Sequence, residues 1–352
     1  MPKYNFYDYS LEDLKNLLVS FGKEKFRAQQ LFKWVYVDRI TDFDLMTNIA
    51  KKTRDELKSL FHFTLPGVVQ HLKSVDGTQK FLLDMGNGKT IECVLIPADN
   101  DRLTLCVSSE VGCNMACGFC YTGKTKLSKR LSTSEIVGQY LIAKEALPEN
   151  VRITNIVFMG MGEPLDNPDN VFRAIDILHS EWGIKLSRKK ITVSTSGLVP
   201  QIPLITKSGV RLAVSLNGSN DEVRSRVMPI NKKYPIDVLL DACRAHCEET
   251  GDKVTLEYVL LKGVTDSLEQ AHELYHLTKN VPCKINLIAY NEHPGSDYLR
   301  PSSSQVDRFQ KELMKLGAHV LIRKTMGRDI FAACGQLTSL YKNRPERLEV
   351  HA

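Results

Sequence analysis

The sequence predicts an α/β protein, a partial (β/α) TIM-like barrel preceded by a small helical accessory domain. Three observations carry that expectation. Residues 10 to 60 place apolar side chains at helical spacing, and beyond residue 100 strand-like runs alternate with helix-length stretches. The third is composition: 43% hydrophobic against 25% charged residues is the balance of a globular chain, and 352 residues can bury a large core beside a smaller accessory unit.

Within residues 1–63, the helical unit, Ser10 stands as an N-cap with Asp13 at the capping-box distance, and Leu11, Leu14, Leu17 and Leu18 form the apolar stripe. A second helix is expected over FRAQQLFKWVY, where Phe26, Leu31, Trp34 and Val35 stand among basic and amide residues. A third is expected in DFDLMTNIAKKTRDELKSL, starting near Thr47. Residues 64–100 read as a β-rich connecting segment, with FLLDM and TIECVLIP separated by the turn-like GNG. A core domain over 101–342 follows, with the strand-like runs TLCVSS, TNIVFMGM, KITVSTS, RLAVSLN, KVTLEYVLL, KINLIAY and HVLIRK, and 343–352 is left as a tail. Parallel strands wrapped by helices present functional residues at their carboxyl ends. Cys106 falls in the first run, Gly162 and Glu163 follow the second, Ser194 ends the third, Asn217 the fourth, and Asn291 follows the sixth.

The start MPKYNFYDYS has no apolar signal core, and nowhere do about 18 uncharged apolar residues run together, so a cytoplasmic protein without a membrane anchor is expected. Nine cysteines, an odd number, argue against a disulfide framework and for reduced thiols with metal or catalytic work. The net charge of +6 includes the basic runs KTKLSKR and KLSRKK, which could meet phosphates, although such runs are more often solvated faces.

The run CNMACGFC spaces Cys113, Cys117 and Cys120 so that three thiolates can converge on one inorganic centre and leave it one ligand short. On a [4Fe–4S] cluster that gap leaves one iron free to bind a further molecule. C-x3-C-x2-C resembles the pattern of the radical S-adenosylmethionine (SAM) superfamily, in which SAM occupies the open iron. The competing readings are a zinc knuckle with a distant fourth ligand, or buried thiols.

Seven further strings occur in one order between about residues 26 and 337: FRAQQLFKWVY, MTNIAKKTR, CVSSEVGC, FMGMGEPLDN, STSGLVP, MPINKKYP and ACGQL. They resemble the RlmN-type enzymes, which make 2-methyladenosine in 23S rRNA and transfer RNA, and more loosely the Cfr-type enzymes that methylate carbon 8. Carbon 2 of adenine is electron-poor and cannot attack the methyl group of SAM, so the family first methylates a cysteine thiolate and then turns that methyl into a carbon radical. By resemblance Cys334 is the methylated residue, Cys106 the resolving thiol that releases the product through a transient disulfide, and Glu92 the proton acceptor. Whether Glu92 or Cys106 takes the proton stays open, and the count of residues around Glu92 differs slightly from the family's.

The same resemblance implies SAM contacts at Gly162 and Glu163, Ser194, Ser215, Leu216, Asn217 and Asn291. Many members carry histidine where this chain has Asn217, so a backbone contact transfers there more safely than a side-chain one. Without the resemblance, Glu92 is one charged residue of an alternating strand, Cys106 and Cys334 default to packing, and GMGEP is a strand-to-helix turn. Cys93, Cys243, Cys247 and Cys283 match no functional position. Cys243 and Cys247 are four apart on an expected helix, without a third ligand nearby in sequence, and core packing is the reading for all four. The implied partners are folded 23S rRNA and tRNA and a flavodoxin- or ferredoxin-like electron donor, with the chain a monomer. The alternatives are Cfr-like carbon-8 methylation and, in another class, a non-catalytic RNA-binding metalloprotein that binds no SAM.

Overall fold

The computed structural model describes residues 3–338, so the expected end of the core domain at 342 and the tail 343–352 lie outside the described residues. Helix α1 (Leu11–Ser20) starts where the sequence placed it. Asp13 donates its N–H to Ser10 Oγ at 3.2 Å and takes the Ser10 N–H on Oδ2 at 3.3 Å. Helix α2 (Phe26–Phe32) stops short of the expected span and passes into a π-helical turn, Lys33–Val37. Helix α3 (Lys51–Leu60) begins four residues later than expected. Met46 and Ile49 are buried in the small core from tight local turns, Thr47 N–H to Leu45 O and Ile49 N–H to Met46 O, and extended Ala50 then opens the helix.

Strands β1 (Tyr4–Asn5) and β2 (Phe61–His62) pair in parallel and close this unit around Phe6, whose ring lies 5.3–6.1 Å from those of Phe32, Tyr36, Phe61 and Phe63. Such aromatic contacts add to the area each ring buries. The unit is anchored to the rest by the Ser134 N–H to Asp8 Oδ1 bond at 2.8 Å and by Arg173 Nε to Asp13 Oδ2 at 3.0 Å.

The rest is built on one ten-stranded sheet. Strands β3 (Gly67–Lys73), β4 (Gln79–Asp84) and β5 (Thr90–Ala98) form an antiparallel meander, and β5 pairs with β6 (Arg102–Cys106) through Val94 opposite Cys106. The segment expected as a connector is thus hydrogen-bonded into the main sheet. A short hairpin, β7 (Glu110–Val111) with β8 (Lys129–Arg130), closes the base of the loop that carries the cysteine triad. Strands β9 (Asn155–Phe158), β10 (Ile191–Thr195), β11 (Arg211–Ser215), β12 (Val254–Leu260), β13 (Cys283–Ala289) and β14 (Val320–Ile322) continue β6 in parallel. All seven strand-like runs beyond residue 100 are strands. The sheet is open, with β14 and β3 at its edges.

Helices connect the parallel strands: α4 (Thr133–Glu145) before β9, α5 (Pro168–His179) before β10, α6 (Ile202–Ser208) before β11, α7 (Asp221–Val227) and α8 (Ile236–Thr250) before β12, α9 (Leu268–Thr278) before β13 and α10 (Ser303–Lys315) before β14. Ser132 and Ser267 cap α4 and α9 with full capping boxes. Cys93, Cys243 and Cys247 are buried and Cys283 is half-buried. Cys283 does come near Cys243 and Cys247: burial first, then Cys247 and Cys283, raise the Cys243 thiol pKa, and burial, then Cys247, raise that of Cys283, a grouping the sequence spacing alone did not indicate.

Candidate active site

The carboxyl ends of the parallel strands surround a cavity of about 180 Å³. It is lined by Cys106 from β6, Gly162 and Glu163 after β9, Ser194 on β10, Ser215 and Asn217 at the end of β11, Asn291 after β13, the triad Cys113, Cys117 and Cys120, and Cys334. Two of the residues singled out in the sequence are elsewhere. Leu216 is fully buried with both backbone groups engaged, its N–H on Glu257 O and its carbonyl on Arg224 Nε. Glu92 lies behind the wall, 2% exposed, with Oε1 3.0 Å from Lys80 Nζ and Oε2 accepting the Thr338 N–H at 3.0 Å.

The triad loop folds tightly. A Cβ at Gly112, where φ is +81°, would lie 2.3 Å from Lys126 O, and one at Gly123 would lie 2.8 Å from Cys117 O. Cys113 N–H bonds to Thr125 O at 2.9 Å and Cys120 N–H to Cys117 O at 3.1 Å. Burial raises the pKa of all three thiols. Three soft sulfur donors facing one cavity suit a cluster, and the positive charge of bound iron would draw them to thiolates. Among the described residues no three His, Cys, Asp or Glu side chains converge closely enough to be ligands of one ion. A cubane asks for something different, since each thiolate binds its own iron.

The glycines of GMGEP are required sterically. A Cβ at Gly160 would lie 2.7 Å from Ser108 Oγ, and one at Gly162, at φ +94°, would lie 2.5 Å from Glu110 Cβ. Glu163 caps the turn that follows, taking the Leu165 N–H at 3.2 Å and the Ser196 N–H at 2.7 Å. Burial raises its pKa, and those hydrogen bonds oppose the rise. Behind it, buried Glu110 accepts the Glu163 N–H at 2.9 Å, and burial pushes its carboxyl up to about 8.

A fully buried arginine, Arg224 on α7, braces the far rim. It donates to the carbonyls of Leu216 (2.9 Å), Ser196 (2.7 Å), Ser215 (3.3 Å) and Tyr234 (3.5 Å) and to Asn231 Oδ1 (2.7 Å). Gly197 and Gly218 make room for it: a Cβ on either would lie 3.0 Å or less from Arg224 atoms. Asn217, at φ +50°, turns its Oδ1 to the Val259 N–H at 2.8 Å.

Cys334 sits on the segment after β14, held by Tyr121 N–H to Gly335 O (2.8 Å), Thr122 Oγ1 to Leu337 O (2.7 Å) and Asn291 Nδ2 to Cys334 O (3.2 Å). Cys106 is buried, and its thiol is pushed up to about 12, chiefly by burial and next by proximity to Cys334, against the opposing charge of Arg323. Arg323, just beyond β14, is the one Lys or Arg side chain among the described residues lining the cavity. Its Nη1 lies 3.6 Å from Glu257 Oε2 and 3.6 Å from Met159 Sδ. Sequence reasoning missed Arg224, Glu257 and Arg323. A glutamate inside the apolar run KVTLEYVLL and an arginine closing HVLIRK were the available signals.

The basic runs are largely used internally. Lys129 pairs with Glu135 at 2.5 Å, Arg130 with Asp166 at 2.9 Å, Lys124 donates to Gly295 O, Arg188 pairs with Asp176 at 2.7 Å and Lys189 with Asp252 at 2.5 Å.

Comparison with known proteins agrees with this architecture. Residues 107–275 match the family model of the radical SAM superfamily, and residues 4–62 match that of the ribosomal RNA large subunit methyltransferase N-terminal domain. The chain is 62% identical over 346 residues to a dual-specificity RNA methyltransferase RlmN of Bdellovibrio bacteriovorus, covering 98% of this chain and 86% of that one. It is 47% identical to the RlmN of Geobacter sulfurreducens, over 93% of this chain and 90% of that one. The crystal structure of a radical SAM methyltransferase from Sphaerobacter thermophilus superposes with a TM-score of 0.88 at 41% identity, over 96% of this chain and all of that one. An open barrel whose cavity gathers the triad with two further cysteines, at this level of identity along nearly the whole length, places the chain in the RlmN family of radical SAM methyltransferases, whose chemistry uses a [4Fe–4S] cluster and SAM.

Proposed function

We propose that the chain methylates carbon 2 of an adenosine in the peptidyl-transferase centre of 23S rRNA and of the adenosine just after the anticodon of tRNA. The observation that carries this reading is that Cys106 and Cys334, far apart in sequence, line the same cavity as the triad. Cys113, Cys117 and Cys120 would hold the cluster, leaving one iron for SAM, and Gly162, Glu163, Ser194, Ser215, Asn217 and Asn291 line the space beside it. Bound there, cluster and SAM would supply a methyl group and a radical able to remove hydrogen.

Cys334 accepts the methyl on sulfur and, once that methyl has lost a hydrogen, presents its carbon to the adenine ring. Cys106, as thiolate, then attacks the sulfur of Cys334, so that a sulfur–sulfur bond forms as the carbon–sulfur bond breaks; the methylene carbon takes up a proton in place of the one lost from ring carbon 2, and the adduct's one surplus electron would pass back to the bound cluster. The adduct proton must pass to a nearby base, for which Glu92 and Cys106 are the candidates. Glu92 reaches it only after exchanging its Thr338 contact, because it does not line the cavity as it stands. The adenine leaves its stack to enter, at a cost of a few kcal/mol. An electron donor of the flavodoxin or ferredoxin class, a monomeric chain and a cytoplasmic setting complete the reading.

The test is anaerobic incubation of the cluster-loaded protein with SAM, a reductant and unmodified 23S rRNA fragment or tRNA, followed by nucleoside mass spectrometry. 2-Methyladenosine in both RNAs is expected. The 8-methyl isomer, or no methylated adenosine beside active SAM cleavage, would overturn the assignment.

A further inference from the structure

The segment that brings Cys334 to the cavity has little regular structure of its own. Between Gly327 and Thr338 it contains one 3-10 turn, Arg328–Ile330, flanked by Gly327 and Phe331, both at positive φ. Besides the bonds from Tyr121, Thr122 and Asn291 around Cys334, the antiparallel meander holds both ends of the segment. Lys80 on β4 and Glu92 on β5 are diagonal neighbours across the strand pair, since Lys80 stands opposite Val94 and Glu92 opposite Leu82. Their side chains form an ion pair of 3.0 Å, 4% and 2% exposed.

Each partner also holds one end of the segment. Lys80 Nζ donates to Phe331 O at 3.3 Å, three residues before Cys334, and Glu92 Oε2 takes the Thr338 N–H at 3.0 Å, four residues after it. Further out, the turn between β3 and β4 repeats the arrangement. Asp76 Oδ2 accepts the Gly327 N–H at 2.7 Å, and Ser74 Oγ donates to Asp329 Oδ1 at 2.6 Å.

A buried ion pair is a poor device for stability alone. Removing two charges from water costs about as much as their attraction returns, and a well-packed apolar pair in its place is often neutral or better. An apolar pair could not satisfy the Phe331 carbonyl and the Thr338 N–H. We propose that Lys80 is a positioning residue for the methyl-carrying cysteine: with Glu92 it grips both ends of the 331–338 segment and so fixes where Cys334 meets the cavity. This rests on the proposed function only for its effect on turnover, because placement of Cys334 can be read without RNA.

The experiment uses the full-length, cluster-loaded protein and its K80M and K80R variants under anaerobic conditions. Three rates are measured: alkylation of Cys334 by iodoacetamide, resolved by peptide mass spectrometry; RNA methylation; and SAM cleavage to 5′-deoxyadenosine without RNA. One lost hydrogen bond of about 1.4 kcal/mol corresponds to about tenfold. K80M is therefore expected to alkylate at Cys334 about tenfold faster and to methylate RNA about tenfold more slowly, with SAM cleavage within about twofold of the parent; K80R should recover part of both changes. Unchanged alkylation and methylation in K80M would overturn the proposal, as would a parallel fall in SAM cleavage and melting temperature, which would make Lys80 a residue of the general fold. If the parent protein methylates no RNA while K80M still exposes Cys334, the functional reading fails and the positioning role stands.

Discussion

Replacing Arg224 by lysine tests whether the cavity rim is held by one guanidinium. The side chain is fully buried and makes five donor contacts, to four carbonyls and one amide oxygen. Lysine offers three donors and a shorter reach, so at least two of those acceptors lose their partner. A buried polar group left unpaired costs about 1–3 kcal/mol, giving an expected loss of about 2–6 kcal/mol in unfolding free energy. Three of the five acceptors, the carbonyls of Ser196, Ser215 and Leu216, set the ends of two strands beside the cavity, so SAM affinity should fall with stability. Urea denaturation of R224K, with the slope held equal to the parent's, reads the first quantity, and equilibrium binding of SAM reads the second. A stability loss below about 1 kcal/mol with unchanged SAM binding would show that water or neighbouring donors replace the guanidinium at no cost, and the bracing argument would fall.

C106A should methylate Cys334 but fail to release product, leaving a covalent RNA–protein adduct visible as a shifted band on a denaturing gel. G162A should lose SAM binding by at least about tenfold, since its Cβ would press into Glu110 at 2.5 Å from a backbone that L side chains disfavour; binding within twofold of the parent would contradict this. Glu110 gives a pH dependence. Its folded pKa of about 8 lies above the unfolded value near 4.3, so the folded state binds the extra proton, and the group lowers stability progressively as pH rises from about 4 to about 8. E110Q should flatten that decline in melting temperature, while the same pH slope in parent and variant would assign it to other groups. R323M removes a positive charge that eases ionisation of Cys106, so adduct resolution should slow at pH 8 and recover as pH rises; a pH-independent defect would point to packing instead.

Much of this was legible in the chain. The seven strand-like runs beyond residue 100 are strands because each is short, apolar and bounded by turn residues, and Ser10 with Asp13 sets the start of α1 through local chemistry alone. The start of α3 was misplaced because Met46 and Ile49 obey the small core, and burial outweighed a helical period that did run through Thr47. The triad and Cys334 could be picked out by motif, and their shared cavity followed from strand order. Glu92 shows the limit of that approach. Its position in TIECVLIP is visible in sequence, but its pairing with Lys80 and Thr338 depends on contacts spanning 12 and 246 residues, which no local pattern encodes. Arg224 was hidden for the same reason: its partners are main-chain carbonyls, and any residue can supply those.

The open sheet has a consequence for access to the cavity. Eight strands rolled into a closed barrel leave an interior just wide enough for their own side chains to fill. Here the strands run ten in a row and the edges β14 and β3 do not meet. The cavity is lined by small residues such as Gly160, Gly162, Ser194, Ser215 and Ala333 and also by larger ones, Phe158, Met159, Glu257 and Arg323. Because β14 and β3 do not pair, no continuous hydrogen-bonded wall seals the sheet on itself. A substrate as large as folded RNA could never pass through the end of a sealed barrel, and a sheet left open at β14 and β3 does not impose that barrier.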